Sequence, residues 1–185
     1  MKNVLIHFLL LASIVIATGC AQADQKDPRL PSLFTNLLSV SPGARSIILE
    51  RKIWDIWLES ENKTITHLME SGEQATQAGN ISDALDAYTQ VIMQNPNYAE
   101  GWNKRALTHY LMGHYEASLS DIRKTLTLEP RHFGALSGQG LIYLVQNKWS
   151  FAKRAFKKVL EIHPTMRGPR ANLLLIEKLG IEEEI

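Results

Sequence analysis

Residues 99–132 read AEGWNKRALTHYLMGHYEASLSDIRKTLTLEPRH, and the proline near the end of that stretch decides the fold. Pro96, Pro130 and Pro164 recur at a constant 34-residue spacing. A period of that length marks a solenoid of helix–turn–helix units, each burying its apolar face only against its neighbours. Laid out on this frame, the chain gives three units, 65–98, 99–132 and 133–166. The fourth position of each holds Leu68, Trp102 and Leu136, and the eighth is small throughout, with Gly72, Ala106 and Gly140. The twentieth is small as well (Ala84, Ser118, Ala152), whereas the twenty-fourth is bulky (Tyr88, Ile122, Phe156). Small residues at two facing positions let a pair of helices cross closely, and the bulky ones fill the space beside the crossing. The fifteenth position is Gly79, Gly113 or Asn147, residues that tolerate a left-handed turn between helices. Proline after the second helix cannot donate its amide and stops the helix.

This pattern resembles the tetratricopeptide repeat (TPR) family, with its large–small–aromatic first helix and small–aromatic–small–Pro second helix. The expected fold is therefore all-α, a right-handed α-solenoid of stacked helix–turn–helix repeats. Upstream, 24–30 reads as a polar linker, and 31–60 as a degenerate N-terminal helical hairpin capping the stack. There the same frame places Phe34, Trp54 and Trp57 at core positions, but Leu38 and Glu50 stand where small residues are expected. Downstream, 167–185 reads as a capping helix opened by Pro169, followed by the acidic tail Glu182-Glu183-Glu184.

The first 23 residues have a different character. Lys2 precedes an apolar run from Val4 to Ala17 broken only by His7 and Ser13, and small residues follow. That is the form of a bacterial secretory signal, and the run is shorter than the roughly 20 apolar residues of a membrane span. Two processing readings stay open. Ala21-Gln22-Ala23 suits ordinary cleavage and release to the periplasm. Ala17-Thr18-Gly19-Cys20 resembles a lipobox, which would make Cys20 a lipidation site anchoring the protein to the membrane. Cys20 is the single cysteine, so no intramolecular disulfide can form and stability must come from helix packing. Removal of 1–23 takes away Lys2 and no acid, leaving a chain of near-zero net charge. Nothing in that balance favours nucleic acid as a partner, and no further segment is apolar and long enough to span a membrane.

The resemblance implies a concave groove lined by the first helix of each repeat. Carried over, it places Thr66, Met69, Glu70 and Glu73 on the first repeat's stretch of that groove. The second repeat offers Glu100, Asn103, Lys104, Leu107 and Tyr110, and the third Gly134, Ser137, Gly138 and Leu141. The partner-binding groove expected from these is Asn103, Lys104, Leu107, Tyr110, Gly134, Ser137, Gly138 and Leu141. Two interior helix glycines cost roughly 1 kcal/mol each relative to alanine, so something should approach the backbone closely at Gly134 and Gly138. That something is a partner, a neighbouring helix or the chain's own N-terminal segment. Family members that bind chaperone C-termini hold the terminal carboxylate with cationic and amide side chains. The corresponding residues here, Met69, Glu73, Lys104, Gly134 and Gly138, supply one cation and a repelling carboxylate.

Arg105 and Asp121 occupy slots where the first and third repeats carry no charge, which predicts a structural ion pair within the second repeat. Asn103 and Lys104 are left to face the groove. His109 takes a slot often filled by a core tyrosine and is expected to be buried and hydrogen-bonded. The other histidines fall on no common face with metal-ligand spacing, and no phosphate loop, His-Glu-x-x-His pair or nucleophile elbow occurs. The chain thus reads as a non-enzymatic module needing no cofactor or metal, binding a protein or peptide partner. The alternative is an assembly subunit packing through its convex face or terminal caps.

Overall fold

The computed structural model describes residues 25–179, and among them the regular secondary structure is entirely helical. After a hairpin of α1 (Leu30–Ser39) and α2 (Ala44–Leu58) come three helix pairs. These are α3 (Lys63–Gln77) with α4 (Ile81–Gln94), α5 (Ala99–Leu111) with α6 (Tyr115–Leu128), and α7 (Phe133–Val145) with α8 (Trp149–Ile162). The last described helix is α9 (Arg167–Lys178). From α3 to α9 each helix packs on the next, with α7 also touching α5 and α9, which is the connectivity of a solenoid. The apolar run at 4–17, the two cleavage motifs, Cys20 and the acidic tail lie outside the described residues.

Each pair is locked by the small-against-large match. A Cβ built on Gly72 would sit 2.6 Å from the Tyr88 ring, and one on Gly140 would collide with Phe156. In the second repeat the facing residue is the smaller Ile122, and there the small position is Ala106. Side-chain volume is thus exchanged across one contact, the larger small residue going with the smaller bulky one. The turns between paired helices adopt left-handed backbone at Gly79, Gly113 and Asn147, with φ of 78°, 75° and 56°. Each proline falls two residues beyond its helix, after the C-caps Asn95, Glu129 and His163. Asn62 caps α3 by accepting from the Thr64 and Ile65 amides, which starts the first repeat slightly ahead of its sequence frame.

The N-terminal hairpin forms, but it does not cap the stack. Rather than extending the solenoid beyond α3, α2 lies against α5 and α1 against α8. Leu30, Phe34, Leu37, Leu49, Ile53, Ile56 and Trp57 share one buried cluster with Phe133, Leu136 and Val159 of the third repeat. The hairpin therefore folds back along the edge and into the concave side of the second and third repeats. The sequence contains the reason. Leu38 and Glu50 cannot provide the close crossing that small residues give the other pairs, so the hairpin presents its large apolar face to a curved surface that can accept it. Within the stretch read as a polar linker, Gln25, Asp27 and Arg29 make defined contacts. The buried Gln25 side chain donates to the Asn97 carbonyl at 2.7 Å and accepts from the Ala99 amide at 3.3 Å. Arg29 pairs with Asp27 and with Glu59 at the far end of α2.

Candidate functional site

The hairpin is fastened over the groove by aromatic stacking and two histidines. Trp57 stacks on His132 with ring centres 4.2 Å apart and planes within 9°. Trp54 stands edge-on to Trp57, His132 and Phe133 at 5.3–5.4 Å. His132 Nδ1 accepts the Ala135 amide and so caps α7. Its proton is therefore on Nε2, which donates to Glu100 Oε2 at 2.9 Å. Both side chains of this pair are completely buried. Farther along, His163 Nε2 lies 3.1 Å from Glu50 Oε2 on α2. The hydrogen bond from His163 holds the Glu50 carboxyl below the ordinary carboxylate range. The indole Nε1 of Trp57 is buried without a partner among the described residues.

This seat explains one of the two glycines. A Cβ on Gly134 would come within 2.5 Å of the Trp54 ring, so the close approach anticipated there is made by the chain's own α2. Gly138, one turn on, is different. Its added Cβ would meet only Ile122 Cδ1, at 3.6 Å, an ordinary contact. The space in front of it belongs to a cavity of about 200 Å³. Asn103, Leu107 and Tyr110 of α5 line it with Gly134, Gly138 and Leu141 of α7 and with Trp54 of α2. Six of the eight expected groove residues thus converge on one mostly apolar recess. Leu107 and Leu141 are 47% and 36% exposed there, open enough to be covered by a partner.

The other two lie elsewhere. The Ser137 hydroxyl approaches Met166 Sδ at 3.9 Å, away from the recess. Lys104 is not free, since its ammonium donates to Glu73 Oε2 at 2.8 Å. Burial works against that ammonium, but Glu100 and the Glu73 bridge outweigh it and the pKa is raised. Bonding to Lys104 in turn lowers the Glu73 pKa. Asn103 faces the recess while donating to both oxygens of Glu100 at 3.2 Å. Glu100, which the repeat frame put on the open groove, lies beneath the hairpin and is the centre of this network. Its burial with His132 was hidden from the sequence because the covering layer, Trp54 and Trp57, belongs to a helix outside the repeats. Lys104 and Glu73 line a second, more open recess with Leu58, Met69 and Glu70.

Arg105 makes a two-pronged pair with Asp121, Nε to Oδ2 at 2.7 Å and Nη2 to Oδ1 at 2.9 Å. The guanidinium also sits 5.0 Å from the Trp102 ring centre. His109 is beside this pair, 3.9 Å from Asp121. Contrary to expectation its Nδ1 is buried without a hydrogen-bond partner among the described residues. Burial pushes the imidazole pKa down. Among the described residues no cluster of His, Cys, Asp or Glu could hold a metal ion, and no helix is long and apolar enough to cross a membrane.

No protein-family model matches the chain. A TPR repeat-containing protein of Rhizobium etli is 35% identical over 169 residues, covering 91% of this chain and 82% of the relative. DnaJ homolog subfamily C member 3 of Mus musculus is 29% identical over 104 residues, 56% of this chain but only 21% of that longer protein. Among solved structures, the first TPR of Spaghetti (RPAP3) bound to the HSP90 peptide SRMEEVD superimposes with a TM-score of 0.61. It is 22% identical, and the match covers 64% of this chain and 94% of that one. A likeness at that identity speaks for the fold alone.

Proposed function

The chain belongs to the tetratricopeptide repeat family, and from that premise we propose that it is a non-enzymatic adaptor that binds a protein segment in its concave groove. The observation that carries this reading is the recess between α5 and α7. It is walled by Leu107, Tyr110, Leu141 and Trp54, it has Asn103 as a polar edge, and it stays open where a Gly138 side chain would otherwise fill it. A recess of this size takes one apolar anchor side chain, with the rest of the partner segment lying along the groove. The docked hairpin is part of this site. It supplies Trp54 as one wall, partly buried and edge-on to Trp57, His132 and Phe133.

The reading extends to the cell envelope of a bacterium. What supports it is the first 23 residues, read as an export signal with either release to the periplasm or acylation at Cys20. The mass of the processed N-terminus distinguishes the two, and an unprocessed chain overturns both. The groove itself is tested with Gly138→Leu, which places a side chain in the recess without a clash at Cβ. Partner co-purification from envelope extract should fall sharply while the helical circular dichroism is unchanged. Undiminished co-purification sinks the groove assignment. One observation favours the assembly alternative: Leu174, Leu175 and Leu179 are at least half exposed at the end of the solenoid. A stable oligomer in sedimentation that Leu174→Glu dissolves would support it, whereas a monomer would favour the adaptor.

A further inference from the structure

We infer that the partner segment is cationic beside its apolar anchor, a deduction that rests on the adaptor reading above. Two recesses are each bordered by α2 and α5, the first through Trp54, Asn103 and Leu107 and the second through Leu58, one turn after Trp54, and Lys104. The second recess has an apolar floor of Leu58 and Met69 and an acidic rim of Glu70 and Glu73, with Lys104 at its side. Met69 is buried and Leu58 is 42% exposed.

The charges in this recess are unbalanced. Lys104 is committed to Glu73 at 2.8 Å and is drawn to the buried Glu100 as well. Within the recess that one ammonium is matched by Glu73, and Glu70 is a second, exposed carboxylate with no cation paired to it among the described residues. An aliphatic stem ending in a positive head fits such a site. The stem of a lysine or arginine covers Leu58 and Met69 while its head reaches Glu70. An acidic segment meets the opposite situation, because the groove's own cation is already neutralised and Glu70 repels it. At the third-repeat end, Gly138 and Leu141 add no charge, so that recess accepts the apolar anchor. The groove therefore has a polarity, cation toward the first repeat and anchor toward the third.

The test is affinity selection of a phage-displayed library of random dodecapeptides on the full chain, counter-screened on Gly138→Leu and Glu70→Lys. The expected result is a set of peptides lost on Gly138→Leu and enriched in lysine or arginine near an aliphatic or aromatic residue. For a selected peptide, Glu70→Lys should weaken the Kd measured by fluorescence anisotropy about tenfold, and the loss should shrink at high salt. Peptides that depend on Gly138 but show no basic enrichment, or carry acidic ends, overturn the inference and leave the adaptor reading standing. A library yielding no peptide sensitive to Gly138→Leu overturns the adaptor reading itself. Both variants should retain wild-type helicity, since Glu70 is exposed and Gly138 borders open space.

Discussion

Adding one methyl group at each of two glycines on α7 should change stability in opposite directions. Gly134 and Gly138 are four residues apart on one helix, and sequence alone makes them equivalent. At Gly138 the new Cβ meets one atom at 3.6 Å. The change to alanine then acts through backbone entropy and should stabilise by about 0.5–1 kcal/mol. At Gly134 the Cβ would lie 2.5 Å and 3.0 Å from two atoms of the Trp54 ring. That ring is wedged against Trp57, His132 and Phe133. It can yield only by moving α2 or swinging outward into the groove. Overpacking of this kind costs about 1–3 kcal/mol, and Gly134 stands in the first turn, where the propensity gain is smallest. The expected net loss is about 1–2 kcal/mol, or a Tm lower by roughly 2–8 °C for a chain of this length. Urea unfolding followed by far-ultraviolet circular dichroism measures both variants. In a Trp54→Phe background the clash is removed, so Gly134→Ala should become nearly neutral, a non-additivity of about 1 kcal/mol or more. If Gly134→Ala proves as stabilising as Gly138→Ala, the hairpin is not seated on the third repeat and Trp54 is no wall of the recess.

Asp121→Ala should lower stability by about 3–5 kcal/mol, because Arg105 would be left charged and mostly buried; the double variant with Arg105→Leu should lose less than the two single losses added together. The depressed His109 pKa makes the unfolded chain the stronger proton binder, so stability should fall as pH drops below the ordinary histidine value of 6.5. Equilibrium unfolding between pH 7 and pH 5 should show a shallower decline for His109→Gln, and an unchanged slope would refute the assignment. Glu50 acts at lower pH. Its depressed carboxyl contributes stability above the ordinary value of 4.5 that is lost as pH falls through its folded pKa, and Glu50→Gln should remove that part of the acid transition. At Asn147, with φ of 56°, alanine should cost about 1–2 kcal/mol and glycine little, as read from thermal unfolding.

The repeat architecture was legible because its determinants recur. Gly72 meets Tyr88 and Gly140 meets Phe156 across the same 16-residue interval, and a left-handed residue and a proline punctuate every unit. Such contacts lie within one repeat, so periodicity exposes them, and the Arg105–Asp121 pair stood out for the same reason: two charges broke the pattern together. The groove positions came from the family's geometry, and six of the eight line one recess. Lys104 could not be assigned this way, since Glu73 lies in the preceding repeat and either residue alone reads as a free groove charge.

The sequence by itself thus determined the all-helical repeat, its turns and the small-for-large exchange inside each pair, all short-range consequences of side-chain volume and backbone preference. Only the tertiary structure decided where the N-terminal hairpin goes. The bonds that hold it and the segment before it, such as Gln25 to Asn97 and Glu50 to His163, join residues 72 and 113 positions apart and do not recur among the described residues. They depend on how the stacked helices curve, and that curvature turns Gly134 into a seat for Trp54 while Gly138 remains open. Two glycines with the same spacing, helix and composition become opposite things because one is covered by a distant tryptophan and the other is not.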